Sequence, residues 1–207
     1  MIREIYLEAK KLLEEGCSVI PIKFEKKSPA VKWTPFHDRV PTSSEVAKWF
    51  ARTNHQLGLV TGVVSGGRFI LDFDGINFQD AFLDFIEAFP EFEKGAIVRT
   101  GSGKFHVHGK CPDMPSDITR KVKKILGEDK KVLAAIELRA NKHMALVPPS
   151  KHKSGNFYEY LNSGRSPTEV TLDRFTEIVK WMTPKDVLRG MKKAPKQRPL
   201  QRKWIDE

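Results

Sequence analysis

The stretch Arg68-Phe-Ile-Leu-Asp-Phe-Asp-Gly75 constrains this chain more than any other. Phe69 to Leu71 and Phe73 have the apolar, partly β-branched character of a buried strand, yet Asp72 and Asp74 stand at its exit before a glycine. Side chains alternate along a strand, so both aspartates point to one face. Two carboxylates that close repel unless a cation lies between them, and oxygen ligands on a rigid element suit Mg²⁺ or Mn²⁺. The plainer reading is a strand end whose aspartates open a solvated turn and cap the next helix, and a short D-x-D pattern does not by itself decide between the two.

The segments around it alternate between helical and strand periodicity. Ile2, Ile5, Tyr6, Ala9, Leu12 and Leu13 predict an opening helix closed by Gly16, and a strand over Cys17 to Phe24 leads into an aperiodic, lysine-bearing loop from Glu25 to Trp33. Thr42 and Glu45 have capping-box spacing before a helix that buries Val46, Trp49 and Phe50. Gln56 to Thr61 is a strand, and Gly66-Gly67 predicts a tight turn that pairs it as a hairpin with the aspartate strand. Phe78, Ala81, Phe82, Phe85, Ile86 and Phe89 form one apolar helix face ended by Pro90. Strands follow at Ala96 to Thr100 and Lys104 to Gly109, joined by Gly101-Ser-Gly103. Pro112 to Lys131 is polar and basic and reads as a loop with one helical segment. Strands at Val132 to Leu138, Met144 to Val147 and Asn156 to Leu161 come next. Ser166-Pro-Thr-Glu169 reads as a capping box opening a last helix with Val170, Phe175, Ile178, Val179 and Met182 on one face.

Lysine and arginine outnumber aspartate and glutamate by 36 to 26, a net charge of +10, which favours a polyanionic partner. Cys17 and Cys111 are too few and too far apart for a disulfide framework or a cysteine zinc site, so a reducing compartment and no zinc are expected. No apolar run approaches the roughly 20 residues of a membrane span, and the acid-bearing amphipathic N-terminus is unlike a signal peptide; a cytoplasmic protein with no membrane partner is expected.

Glu137 lies in an apolar strand, where an unpaired charge is costly. It either pairs with Arg139 on its own face or completes a divalent-metal site with Asp72 and Asp74, the three-carboxylate arrangement that two-metal phosphoryl transfer needs. Two glycine-bounded basic stretches offer phosphate donors. One is Arg99-Thr-Gly-Ser-Gly-Lys-Phe-His106, with Ser102, Lys104 and His106; the other is Pro148-Pro-Ser-Lys-His-Lys-Ser-Gly155, with Ser150 and His152.

Together these pieces resemble the primase-polymerase domain of the archaeo-eukaryotic primase superfamily, the bifunctional DNA primase/polymerase N-terminal family of mobile-element or CRISPR-associated type. The resemblance runs from Gly16-Cys-Ser-Val-Ile-Pro-Ile22, the Lys27-Ser-Pro29 loop and Trp33 through Gly58-Leu-Val-Thr-Gly62 and Ile70-Leu-Asp-Phe-Asp-Gly75. It continues over Arg99-Thr-Gly-Ser-Gly103 with His106, Ile136-Glu-Leu-Arg139, and Val147-Pro-Pro-Ser-Lys-His152 with Ser154-Gly155. It implies a two-lobed α/β (α+β) catalytic fold with an RRM-like split β-α-β sheet. It also implies a nucleotidyltransferase that primes or extends DNA on a single-stranded template, with two divalent metals, Mg²⁺ or Mn²⁺, and nucleoside triphosphates (NTPs or dNTPs). Asp72, Asp74 and Glu137 then match the metal-binding carboxylates, and His106, Arg139, Ser150 and His152 match the phosphate pocket. The third carboxylate is commonly aspartate, so Glu137 is one methylene longer. Lys104 stands where a serine is common, leaving any serine contribution to Ser102.

The expected organisation is a catalytic domain over 1–188, with a first lobe to about residue 65 and a catalytic sheet over about 66–188, then a basic tail or linker over 189–207. Arg120, Lys121, Lys123 and Lys124 are candidates for holding template and primer, and the tail carries seven basic residues between Arg189 and Lys203 and no acid. A monomer is expected, with a helicase or another replication or CRISPR protein as a possible neighbour. Two alternatives remain open. His106-Val-His108 puts two imidazoles on one face, as in HUH-type enzymes that nick single-stranded DNA through a tyrosine, for which Tyr158 or Tyr160 would serve. The other is a non-catalytic single-strand nucleic-acid binding module.

Overall fold

The computed structural model describes residues 2–24 and 26–183. In chain order its first half contains α1 (Ile2–Glu14), β1 (Val19–Ile22), α2 (Ser43–Phe50), β2 (Gln56–Val60), β3 (Arg68–Gly75), α3 (Phe78–Ala88) and β4 (Ile97–Arg99). The second half contains β5 (Phe105–Lys110), β6 (Arg120–Leu126), β7 (Val132–Arg139), β8 (Met144–Leu146), β9 (Glu159–Tyr160), β10 (Thr168–Glu169) and α4 (Leu172–Met182). The basic tail lies outside the described residues. No helix among the described residues is long and apolar enough to cross a membrane.

Two sheets organise these elements. The smaller is antiparallel in the order β1-β2-β8, and the larger runs β6-β7-β3-β5-β4-β9 with β10 beside β5. Within the larger sheet β5 is antiparallel to both β3 and β4. The β3-α3-β4 unit is therefore a split β-α-β with β5 inserted, and the order β7-β3-β5-β4 is that of the RRM-like sheet the resemblance implied.

Strand alternation then divides the molecule into layers. Phe69, Leu71 and Phe73 share one face of β3 with Val107 of β5 and Ile136 and Leu138 of β7, and all pack in one core with Phe82, Phe85 and Ile86 of α3 and Phe175 and Ile178 of α4. Phe73 meets Phe82 edge-on at 5.6 Å between centroids. On the opposite face Ile70 and Val98 join a second core with Val19, Ile20, Leu57, Leu59 and the apolar faces of α1 and α2. The smaller sheet is thus laid over the face from which Asp72 projects. The α2 capping box forms as its spacing predicts, with the Thr42 hydroxyl accepting from Glu45 N–H and the Glu45 carboxylate accepting from Thr42 N–H.

Four local expectations are corrected. The strand at Gln56 and the aspartate strand do not form a hairpin, because they belong to different sheets. A short 3-10 turn over Val63–Ser65, closed by Gly66 in the left-handed region at φ 64°, carries the chain across. The basic stretch after Pro112 contains β6, an edge strand whose lysines and arginine are tolerated because one side of it meets solvent. Ser166 to Glu169 does not cap a helix: Thr168–Glu169 is β10, and α4 starts later with Thr171 as N-cap, its hydroxyl accepting from Arg174 N–H at 3.2 Å. The strand expected over Asn156 to Leu161 shrinks to Glu159–Tyr160.

The chain crosses between the sheets three times, and the first two crossings touch. Thr61 N–H donates to His143 C=O at 2.8 Å, and the Thr61 hydroxyl donates to Ala140 C=O. Asn141 accepts from Val63 N–H at 2.9 Å and lies so close to Gly62 that a Cβ there would stand 2.4 Å from its side-chain oxygen.

Candidate active site

The central position of β3 gathers the predicted residues. Its register sets Asp72 directly across from Glu137 of β7 on one side and His106 of β5 on the other, so the three side chains share a face. Asp72 and Asp74 both line a pocket of about 280 Å³ between the sheets. Ser102, Lys104, His106 and Arg139 line the same pocket, while Met144, Ala145 and Leu146 of β8 form its apolar wall.

Asp72 is the most constrained of these groups. Its carboxylate accepts from Arg139 Nη2 at 2.7 Å and lies 3.6 Å from His106 Nε2. Burial pushes its pKa up, but His106, Arg139 and Lys27 outweigh that and hold it below the ordinary aspartate value. Asp72 is therefore ionised at neutral pH. Asp74 is exposed at the strand end, where its carboxylate accepts from Gly75 N–H at 2.7 Å.

Glu137 is placed differently. Its Oε1 accepts from Arg120 Nε at 2.9 Å and lies 3.4 Å from Arg139 Nε, and it does not line the pocket. Glu137 shares the aspartate face, but its partners are the same-face Arg139 and Arg120 from β6. Among the described residues no group of three or more His, Cys, Asp and Glu side chains is placed to hold a metal ion. The two pocket aspartates have the oxygen chemistry and shared face that suit a hard divalent cation. Glu137, turned to two guanidinium groups, does not complete that donor set.

The donor stretches divide in the same way. Lys104 Nζ donates to Gly75 C=O and sits 4.4 Å from the Phe78 ring centroid. Ser102 Oγ lies 3.0 Å from Thr100 Oγ1 in the turn beside it. His106 has a buried Nδ1 with no hydrogen-bond partner. Ser150 is fully buried outside this pocket, with its hydroxyl accepting from Leu57 N–H at 2.9 Å and donating to Leu57 C=O at 3.2 Å. His152 packs against Gly101, with Nδ1 2.8 Å from Ser154 Oγ; burial first, then Lys27 and Lys153, lower its pKa.

The histidine pair and Tyr158 of the nicking alternative are buried, and Tyr160 is half-buried. His108 is pushed down to about 3 by burial, His106 and Arg68, which makes it a neutral core imidazole. Tyr158 and Tyr160 are each pushed up to about 12, chiefly by burial, so neither is an activated nucleophile.

On β6, register puts Arg120 opposite Arg139 and Lys124 opposite Ala135, on the aspartate face, with Lys121 and Lys123 on the other. Lys123 Nζ lies 3.3 Å from the Trp181 ring centroid. The pocket also holds Lys27, Thr100 and Tyr158, which sequence reasoning had not assigned to it. The signal for Lys27 was its position in an aperiodic basic loop beside Pro29.

A family model described as "Bifunctional DNA primase/polymerase, N-terminal" matches residues 9–172. No curated protein matches the chain.

Proposed function

The chain belongs to the bifunctional DNA primase/polymerase N-terminal family, and from that premise we propose that it transfers nucleoside monophosphates from triphosphates to a primer 3′-hydroxyl, or to a first nucleotide, on a single-stranded DNA template. The observation that carries this is the pairing of Asp72 and Asp74 in one pocket with Ser102, Lys104, His106 and Arg139. Carboxylates facing hydrogen-bond donors and cations fit a site that must hold a polyphosphate next to its counterions.

In this reading Asp72 and Asp74 would hold Mg²⁺ or Mn²⁺, which lowers the pKa of an attacking hydroxyl and neutralises the leaving pyrophosphate. Arg139 keeps Asp72 ionised and oriented, while His106, Ser102 and Lys104 donate to phosphate oxygens. Met144 to Leu146 keep water from one side of the nucleotide. Glu137 would join the carboxylates only if it left Arg120 and Arg139. The catalytic domain would span 1–188, with the basic segment after it as a tether to further replication modules.

The deciding assay incubates primed and unprimed single-stranded DNA with nucleotides and Mg²⁺ or Mn²⁺. Asp72→Asn and Asp74→Asn should each lower product formation at least ~100-fold, as expected for loss of a principal electrostatic group. Product from both variants equal to wild type, or none from wild type, sinks the proposal.

A further inference from the structure

Lys27 sits on a loop of the smaller sheet's lobe that is clasped at its base. Lys23 N–H donates to Ser28 C=O at 2.8 Å, Ala30 N–H donates to Pro21 C=O at 2.8 Å, and Ile22 bridges Pro29. Lys27 itself has φ 47°, the left-handed region that residues other than glycine seldom adopt. This backbone carries its side chain to the pocket wall facing Asp72 and Asp74. Among the described residues the ammonium has no anionic partner within ion-pair distance, and Asp72 is engaged by Arg139 and His106. Its other charged neighbours are Lys153 and Arg139, both positive, and Asp74; burial first, then Lys153, lowers its pKa.

Lys27, Lys153 and Arg139 are like charges that repel, the two carboxylates across the pocket offset this only in part, and a polyanion seated beside the three cations would relieve it. The pocket's volume of about 280 Å³ is at the small-ligand end of binding sites. Resting on the nucleotidyl-transfer reading, we infer that Lys27 binds the polyphosphate of the incoming nucleotide, gripping it from the smaller lobe while the aspartate strand holds the other side. The site is then completed across the two sheets, with one cation delivered by a segment about 45 residues before the aspartates.

Titration calorimetry with inorganic tripolyphosphate in EDTA tests this on wild type, Lys27→Asn, Lys27→Arg and Lys26→Ala. Asparagine tolerates the left-handed backbone and removes only the charge. Lys27→Asn should bind about tenfold more weakly or worse, the scale of one charge-assisted hydrogen bond, while Lys27→Arg and Lys26→Ala stay close to wild type. On the unaltered protein, tripolyphosphate should protect Lys27, and not Lys26, from acetylation. Wild-type affinity in Lys27→Asn, an arginine variant as weak as the asparagine one, or equal labelling with and without ligand overturns the inference. So does a loss confined to a single-stranded oligonucleotide lacking terminal phosphates. Because the probe needs no metal, template or turnover, these outcomes are separate from the extension assay, where Lys27→Asn should raise nucleotide KM with little change in kcat.

Discussion

Arg139 spans three elements: it donates to Asp72 of β3 and to Met144 C=O of β8, and it lies within ion-pair distance of Glu137 on its own strand. Its fork makes all three contacts together, which a lysine could not. Near it, His108 carries a consequence for stability. An ordinary histidine titrates near 6.5, whereas His108 is held at about 3. Between those values the unfolded chain takes up a proton that the folded one refuses. Stability is therefore fully present above about pH 6.5 and falls on acidification toward 3, by up to ~1.4 kcal/mol per pH unit for this one group. His37 and His152, also lowered, act in the same sense. Urea melts across that range should show a shallower acid decline in His108→Leu than in wild type, and parallel curves would refute the assignment. The Glu137–Arg139 contact was legible from an i, i+2 spacing on one strand. The Arg120–Glu137 contact was not, because it depends on β6 being a strand at all.

At the level of elements, β6 shows why charge alone misleads. Its sequence Arg-Lys-Val-Lys-Lys looked like a loop because a strand interior seldom carries so many charges, but an edge strand exposes them and discourages further pairing. The faces then separate function from packing. Lys124 lies on the aspartate side, whereas Lys123 covers Trp181 near Asp84, and burial lowers the Lys123 pKa. Lys124→Ala should weaken single-stranded DNA binding and reduce the salt slope of log affinity by about 1. Lys123→Ala should instead lower stability and leave the slope unchanged; the reverse pattern would assign the strand to the other face. For α4 the capping signature at Ser166 was overridden by tertiary pairing, since Ser166 C=O accepts from Ala96 N–H and Val170 N–H donates to Lys110 C=O. Thermal melts should show Thr171→Ala costing ~1 kcal/mol, and Ser166→Ala well below that.

For the whole molecule, Ser150 joins two distant parts of the chain, 93 residues apart, through both bonds of its hydroxyl to Leu57. Ser150→Ala leaves the Leu57 N–H and C=O without that partner in a buried place, so denaturant unfolding should show a loss of ~1–3 kcal/mol. A loss near zero would return Ser150 to the pocket-facing role suggested by the resemblance. Periodicity made the four α-helices of the described residues legible, apart from the start of α4, and the D-x-D strand with its histidine neighbour marked the candidate site. The assignment of strands to two sheets was not legible, because β2 and β3 are close in sequence and only long-range pairing separates them. That separation sets an order on the making of the protein. The smaller sheet, begun by β1 and β2, takes its third strand from Met144–Leu146, after most of the larger sheet has been laid down. A nascent chain leaving the ribosome exposes an open edge on β2 for some 80 residues of synthesis, until β8 arrives to cover it. During that interval the free edge of β2 can pair with another chain, and a chaperone that shields it would protect the fold.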